Sequence, residues 1–138
     1  TGAWPSSEVG HHADYAIFVK AIRHTLDKGF RKDKLLVGLP AYGIEFINGK
    51  NAKIRHVGYD EVVTLTAENP DALKKGRIDN IYFETSEHFL RKAKYVTTNE
   101  LAGVFVFDIA SDVLDEKLSL MNSLRKYILI DHEGDDRL

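Results

Sequence analysis

Acidic residues close the most apolar segment of the chain. The segment GVFVFDIASD, residues 103–112, opens with a strand-like apolar run, and Asp108 and Asp112 follow at its end. Functional carboxylates in parallel α/β enzymes lie at the C-terminal ends of strands. An aspartate at this point is equally a common helix cap or turn residue. Both interpretations of Asp108 stay open from the sequence.

A second polar group, His11, His12 and Asp14, contains side chains of the kind that bind metal ions. Adjacent histidines point in different directions, and no third ligand follows at helical spacing. The sequence therefore predicts no metal site and no cofactor. His12 or Asp14 is instead expected near the start of a helix.

The elements that position these residues alternate between helix and strand patterns. Apolar residues recur at three- and four-residue spacing from His12 to Lys28, which predicts an amphipathic helix that stops at Gly29. LLVGLP, residues 35–40, is short, apolar and unalternated, as is typical of a parallel strand covered on both faces. Residues 44–83 are mixed and are predicted to form an insertion. Within it we expect a turn at Asn48-Gly49, a helix over YDEVVTL, a break at Asn69-Pro70 and a strand at IYF.

The second half of the chain repeats the alternation. A helical stripe runs from Thr85 to Tyr95, GVFVF follows as a strand, and a last helix carries Leu118, Met121, Leu124 and Ile128 on one face. This order predicts an α/β fold with LLVGL and GVFVF parallel and adjacent. Two strands alone would leave unpaired edges and uncovered apolar side chains. The chain is therefore either a piece of a larger barrel or sheet, or it covers this surface by association.

Charge and composition exclude several classes of partner. Lysine and arginine (19) nearly balance aspartate and glutamate (21), so the net charge of -2 attracts neither nucleic acid nor an anionic membrane. No window approaches about 18 consecutive apolar residues, the length of a membrane-spanning helix. Cysteine is absent, which excludes disulfides but does not identify the compartment.

Five segments carry a resemblance to a known family. DKLLVGLPAYG, YDEVV, IYFETSEHFLRKAKYV and LAGVFVFDIASD resemble the last quarter of a family 18 glycoside hydrolase, the chitinase family, and TGAWPSSEVGHHADY resembles the loop after its sixth strand. The resemblance implies the C-terminal portion of a (β/α)8 TIM barrel with a small insertion after the seventh strand. Residues 1–130 would belong to that barrel, and residues 131–138 would form an acidic tail.

The chemistry that the resemblance implies is substrate-assisted, retaining hydrolysis of β-1,4 bonds next to N-acetylglucosamine. The family's catalytic carboxylates belong to a D-x-x-D-x-D-x-E motif after the fourth strand, which this chain does not contain. The nearest approach is Asp112-x-x-Asp115, where Lys117 and Ser119 occupy the places of the later carboxylates. No catalytic residue is assigned, and the isolated chain is expected to be inactive.

The resemblance also implies a substrate-binding wall. Phe107 stands where the family has a tryptophan at the floor of the sugar cleft, and Ile44 stands where an arginine is common. Phenylalanine keeps an apolar plane but loses area and the indole donor. Phe107 either faces the cleft or packs, whereas Phe105 is expected to pack. The implied substrate-binding residues are Trp4, Tyr42, Glu45, Phe107 and Asp108, with Trp4 alternatively a loop anchor.

Three functions remain open from the sequence. The first is the C-terminal part of a chitinase-like hydrolase, the second a catalytically silent carbohydrate-binding relative, and the third a self-associating half-barrel module. The expected partners are an N-acetylglucosamine-containing glycan, and either a second copy or the missing N-terminal part of the barrel. An extracellular or periplasmic location follows from the resemblance, with any export signal outside these residues.

Overall fold

The computed structural model of the chain describes residues 8–47 and 53–133, with the backbone alone for 129–133. Trp4 and the predicted turn at Asn48-Gly49 lie outside the described residues. In chain order the helices and strands are α1 (Tyr15–Asp27), β1 (Leu36–Pro40), β2 (Tyr42–Ile47), β3 (Lys53–Gly58), α2 (Tyr59–Leu65), α3 (Pro70–Lys75), β4 (Arg77–Ile78), β5 (Ile81–Phe83), α4 (Ser86–Thr98), β6 (Gly103–Phe107) and α5 (Leu120–Glu133).

The predicted parallel pair is confirmed. β1 and β6 pair in parallel from Leu36 opposite Gly103 to Pro40 opposite Phe107. The backbone N–H of Ala41 donates to the carbonyl of Phe107 at 2.8 Å, which extends the pairing to the ends of both strands. The segments that follow β1 and β6 therefore leave the sheet at the same end, the C-terminal end of both strands.

The insertion is a small antiparallel sheet with two short helices. Its strand order is β3-β2-β5-β4, and it begins at Tyr42, two residues before the predicted boundary. The predicted helix α2 and strand β5 are confirmed. At the predicted break, Asn69 instead caps the helix α3 by accepting from the N–H of Ala72 at 3.2 Å.

Aspartate side chains cap the first turns of two long helices. Asp14 accepts from the N–H of Ala16 at 2.8 Å and begins α1, as expected. Asp112 accepts from the N–H groups of Leu120 and Met121, at 3.0 and 2.9 Å, and so satisfies donors at the first turn of α5. The backbone of α5 continues to Glu133, so the described part of the predicted tail is helical.

One main core holds these elements together. Its buried apolar residues come from β1, the insertion and the helices α1, α4 and α5; those least exposed include Leu39, Val57, Phe83, Phe89 and Leu120. Val104 and Val106 of β6 pack against this core. Among the described residues, no helix combines the length and the hydrophobicity that crossing a membrane requires.

The opposite face of the parallel pair is open. Leu36, Phe105 and Phe107 are 56%, 52% and 62% exposed. They lie on one face because alternate strand residues share a face and β1 and β6 are in register. In a closed barrel this face, which points away from the helices, is the interior.

Candidate functional site

Two aromatic rings meet where the parallel strands end. Phe107 is the last residue of β6, and Tyr42 begins β2 two residues after β1 ends. Their ring centroids are 6.3 Å apart with the planes at 86°, an edge-to-face contact. The peptide bond between Phe107 and Asp108 is cis. The fold thus brings together Tyr42 and Phe107, two of the residues that the family resemblance implied for substrate binding.

Phe107 faces the open side of the sheet. Phe105, which was expected to pack, lies on the same face and crosses Gly38 of the neighbouring strand. A Cβ atom at Gly38 would come within 2.9 Å of the Phe105 ring, so the glycine gives this ring its room. The sheet therefore presents an apolar strip that leads to Phe107 at its C-terminal edge.

Two histidines complete what we call the aromatic cluster: His12, Tyr42, His56 and Phe107. The His12 ring stacks on Tyr42 with centroids 5.1 Å apart and planes at 20°. The His56 ring of β3 lies 5.0 Å from Tyr42 at 34°. Tyr42 is therefore contacted by rings from three other segments, which fixes its orientation.

His12 is a buried polar group without a hydrogen bond. Its side chain is 7% exposed, and neither ring nitrogen has a partner among the described residues. Burial, with smaller contributions from Lys92 and two other histidines, lowers the pKa of His12 to about 4. Burial also raises the pKa of Tyr42. Both side chains are consequently neutral at pH 7.

The structure separates the roles of the two aspartates. Asp108 accepts from the N–H and the hydroxyl of Ser111, both at 2.9 Å and both through Oδ1. Its Oδ2 accepts no hydrogen bond from another described residue. Asp112 uses both oxygens, on the first turn of α5 and on the Ser119 hydroxyl at 2.8 Å. Asp108 alone keeps an unused acceptor at the rim.

Glu45 lies away from the aromatic cluster. It occupies the face of β2 opposite Tyr42, because the two positions differ by an odd number of residues in one strand. There it accepts from Arg55 at 2.7 Å, and Arg55 also donates to Glu61 of α2 at 3.0 Å. The arrangement links the sheet to α2 and does not bring Glu45 to Phe107. Trp4 cannot be related to the cluster because it lies outside the described residues.

A group of three polar side chains, His11, Glu84 and His88, was missed by sequence reasoning. One ligand atom from each of His11, Glu84 and His88 lies within 4.8 Å of the other two. Lys92 donates to Glu84 at 2.5 Å, and both side chains are 3% exposed. The residues that approach His11 are far from it in sequence: Glu84 follows the insertion directly and His88 lies in α4. Their signal is the (i,i+4) pair of Glu84 and His88.

The group of His11, Glu84 and His88 borders a small cavity of about 100 Å3. Burial lowers the pKa of both His11 and His88. The carboxylate of Asp14 opposes this shift at His11, whereas Lys92 adds to it at both residues. Burial raises the pKa of Glu84, while the ammonium group of Lys92 opposes that rise. The ammonium group of Lys92, hydrogen-bonded to Glu84 at 2.5 Å, favours the ionised form of this buried carboxylate.

The sequence model of glycosyl hydrolases family 18 matches residues 1–112, which is most of the chain. The chain belongs to glycosyl hydrolase family 18. The family resemblance drawn from the strand motifs is thereby confirmed. Comparison with curated protein sequences finds no match to the chain.

Solved structures of family 18 proteins share the fold. The chitinase ChiB from the chitin utilization locus of Flavobacterium johnsoniae superposes with a TM-score of 0.77 at 18% identity, over 93% of this chain and 40% of that one. A chitinase from Bacteroides thetaiotaomicron gives 0.76 at 22% identity, over 94% and 42%. Human YKL-39, a pseudo-chitinase with retained chitooligosaccharide binding, gives 0.64 at 16% identity, over 90% and 44%.

The chain spans less than half the length of these family 18 structures. It corresponds to the C-terminal part of their TIM barrels, as predicted. This correspondence accounts for the open face of β1 and β6, which in a whole barrel is the interior.

Proposed function

We propose that the full polypeptide carrying this chain is a chitinase-like protein that binds glycans of β-1,4-linked N-acetylglucosamine at the C-terminal ends of β1 and β6. The observation that carries the proposal is the apolar ring of Phe107. It is 62% exposed, is contacted edge-on by Tyr42, and stands at the rim where a barrel enzyme keeps its site.

The chain's own residues supply a stacking surface and an acceptor. A pyranose ring has an apolar face of C–H groups that covers an aromatic plane, and burial of that plane contributes roughly 25 cal/mol per Å2. Asp108 follows Phe107 directly and keeps Oδ2 without a hydrogen bond from a described residue. In this proposal Oδ2 accepts from a sugar hydroxyl while the ring lies on Phe107.

Hydrolysis, in this proposal, follows the substrate-assisted retaining route. The acetamide oxygen of the sugar attacks the anomeric carbon, the bond to the leaving oxygen breaks, and a glutamic acid gives its proton to that oxygen. Water then opens the cyclic intermediate with net retention. The acid and the aspartate that orients the acetamide belong to the fourth-strand motif, which lies outside this chain. Residues 8–133 hold the sugar and do not transfer the proton.

A second candidate is a carbohydrate-binding protein without hydrolytic activity. It is favoured by Phe107, which stands where the family resemblance leads us to expect tryptophan. Phenylalanine retains a stacking plane but has less area and no N–H donor. Such a protein would hold the glycan through the same wall and would lack an effective acid at the fourth strand.

The open face carries the proposal about partners. Leu36 and Phe105, which precede Phe107 on this face, would be covered by the remaining strands of the barrel or, in the isolated chain, by a second copy through the free strand edges. An extracellular or periplasmic location is proposed with the chitinase-like function, because polymeric chitin is encountered outside the cytoplasm.

Two assays on the full polypeptide test the function together. Calorimetric titration with a chito-oligosaccharide measures binding, and release of the chromophore from a chromogenic chitobioside measures turnover. Binding with turnover supports the hydrolase, and binding without turnover supports the silent relative. Absence of binding at millimolar ligand contradicts both. The 138-residue chain assayed alone should show no turnover.

A further inference from the structure

The group of His11, Glu84 and His88 joins three segments of the chain. His11 lies in the loop before α1, Glu84 follows β5 directly, and His88 is in the first turn of α4. Their ligand atoms lie within 4.8 Å of one another. We call these residues the His11–Glu84–His88 cluster. It is separate from the aromatic cluster, since the neighbouring His12 ring stacks on Tyr42.

Lys92 holds the backbone of the cluster in place. Its buried ammonium group donates to Oε2 of Glu84 and to the carbonyl of Ala13, two residues after His11. Thr85 accepts from the N–H of His88 at 3.1 Å and fixes the start of α4. The ligand-bearing segments are thus fixed without using the imidazoles or the second oxygen of Glu84.

The imidazoles make ring contacts, His11 with Tyr82 at 5.4 Å between centroids, but no hydrogen bonds within the described part of the chain. No ring nitrogen of His11 or His88 makes a hydrogen bond to another described residue. The nearest approach is His88 Nδ1 to Glu84 Oε1, at 3.9 Å, which is too long for a hydrogen bond. The two rings meet edge to face with centroids 5.6 Å apart. Two imidazoles and one carboxylate oxygen therefore face each other across the small cavity.

We infer that the His11–Glu84–His88 cluster binds a divalent transition metal ion such as zinc. One nitrogen from each histidine and Oε1 of Glu84 would be the protein ligands, and a water molecule in the cavity would complete the coordination. Two imidazoles with one carboxylate are a zinc-type set, whereas magnesium and calcium select oxygen ligands.

The geometry requires a small adjustment. Ligand atoms around a tetrahedral zinc ion at about 2.1 Å lie about 3.4 Å apart. The cluster atoms, which lie within 4.8 Å of one another, must therefore approach by up to about 1.4 Å, which rotation of the two partly exposed imidazoles would have to provide. Glu84 need not move, since Lys92 holds its other oxygen. The charges of Lys92 and of Arg91, which lines the same cavity, weaken the attraction for a cation, so we expect an affinity that is about micromolar and no tighter.

Zinc would link the loop before α1 to the start of α4. That loop carries His12 into the aromatic cluster, so the ion would also stiffen one side of Tyr42. The site lies outside the proposed glycan wall, and its test does not depend on sugar binding. Failure of the metal experiment would leave the proposed function untouched.

Calorimetric titration with zinc chloride tests the inference in the full polypeptide after removal of metal with a chelator. His11→Ala and His88→Ala should each weaken one micromolar zinc site by at least about tenfold, the scale of changes around bound metals. His24→Ala is the matched control, because His24 lies exposed in α1, and it should leave zinc binding unchanged. Circular dichroism confirms that each variant is folded.

A second measurement locates the ion directly. In crystals soaked with zinc, an anomalous peak between the rings of His11 and His88 is expected. The inference is overturned if zinc binds His88→Ala as tightly as the unmodified protein, if no zinc binds at micromolar concentration, or if the anomalous peak lies elsewhere. Should both alanine variants fail to fold, the anomalous peak alone decides.

Discussion

The ring of Phe107 stands edge-on to the ring of Tyr42, with centroids 6.3 Å apart and planes at 86°. The contact exists because two parallel strands end in register, at Pro40 and Phe107. Tyr42 is held by His12 and His56 on its other sides, whereas Phe107 keeps 62% of its surface exposed. Tyr42 thus fixes the position of Phe107, and Phe107 presents its ring to the solvent.

Replacing the two aspartates should separate folding from binding. Asp112→Ala removes the acceptor for the first turn of α5 and should lower the free energy of unfolding by about 1 to 3 kcal/mol. Asp108→Ala removes an exposed turn contact and should cost less stability, but it should weaken chito-oligosaccharide binding. Urea unfolding and calorimetry of the full polypeptide measure the two effects. Equal losses of stability in the two variants would show that the roles are not divided in this way.

Local patterns predicted the parallel part of the fold. The apolar periodicity of α1 and the short runs of β1 and β6 each depend on neighbours in sequence, so they were readable. β2 and β3 were missed because their stability comes from pairing Ile44 with His56 and Glu45 with Arg55, contacts that no local pattern reports. β4 is only two residues long and gives no period.

The sequence likewise predicted only part of the candidate site. Phe107 and Tyr42 follow strands that the sequence indicates, and the family resemblance brought them together. His56 joins the aromatic cluster through the β2–β3 pairing, which was not predicted. His12 joins it because its side chain points away from that of the neighbouring His11. Glu45 was implied by its place after Tyr42, but strand alternation puts it on the other face.

Two glycines should respond differently to alanine. Gly76 has φ +70°, and a Cβ there would lie 2.7 Å from the backbone carbonyl of Phe83. Gly29 has φ +89° with nothing within 4 Å of an added Cβ. Gly29→Ala should cost about 1 kcal/mol for the left-handed conformation, and Gly76→Ala should cost more because backbone must shift. Thermal unfolding compares them, and an equal loss would remove the steric part of the argument.

Removing one partner of the buried ion pair of Glu84 and Lys92 should destabilise the protein strongly, whereas replacing both partners should cost much less. Lys92→Met leaves a buried carboxylate unpaired and should cost about 3 to 5 kcal/mol, while adding Glu84→Leu should restore much of that loss. Arg31→Met, which breaks the exposed pair with Asp33, is the control and should cost at most about 1 kcal/mol. Urea unfolding measures all three. A double variant as unstable as Lys92→Met would contradict the account.

Stability should fall with acid because of His12. The unfolded imidazole takes up a proton near pH 6.5, whereas the folded one resists protonation down to about pH 4. Unfolding therefore binds a proton between these values, and the free energy of unfolding should decrease as the pH falls through them, by up to roughly 3 kcal/mol. His12→Phe keeps a ring against Tyr42 and should make this dependence less steep in urea unfolding, with the contributions of His11 and His88, whose pKa values are also lowered, remaining. A variant that loses stability with acid as steeply as the unmodified protein would refute the assignment.

The affinity of the full polypeptide for a chito-oligosaccharide, compared between two phenylalanine variants, tests the central claim most directly. Phe107→Ala should weaken binding by about tenfold or more, equivalent to about 1.4 kcal/mol. Phe30→Ala, at a phenylalanine 63% exposed in the loop after α1, should leave it unchanged, and Phe107→Trp should tighten it through the larger plane. Calorimetric dissociation constants that are the same for Phe107→Ala and Phe30→Ala would contradict a glycan wall at the end of β6.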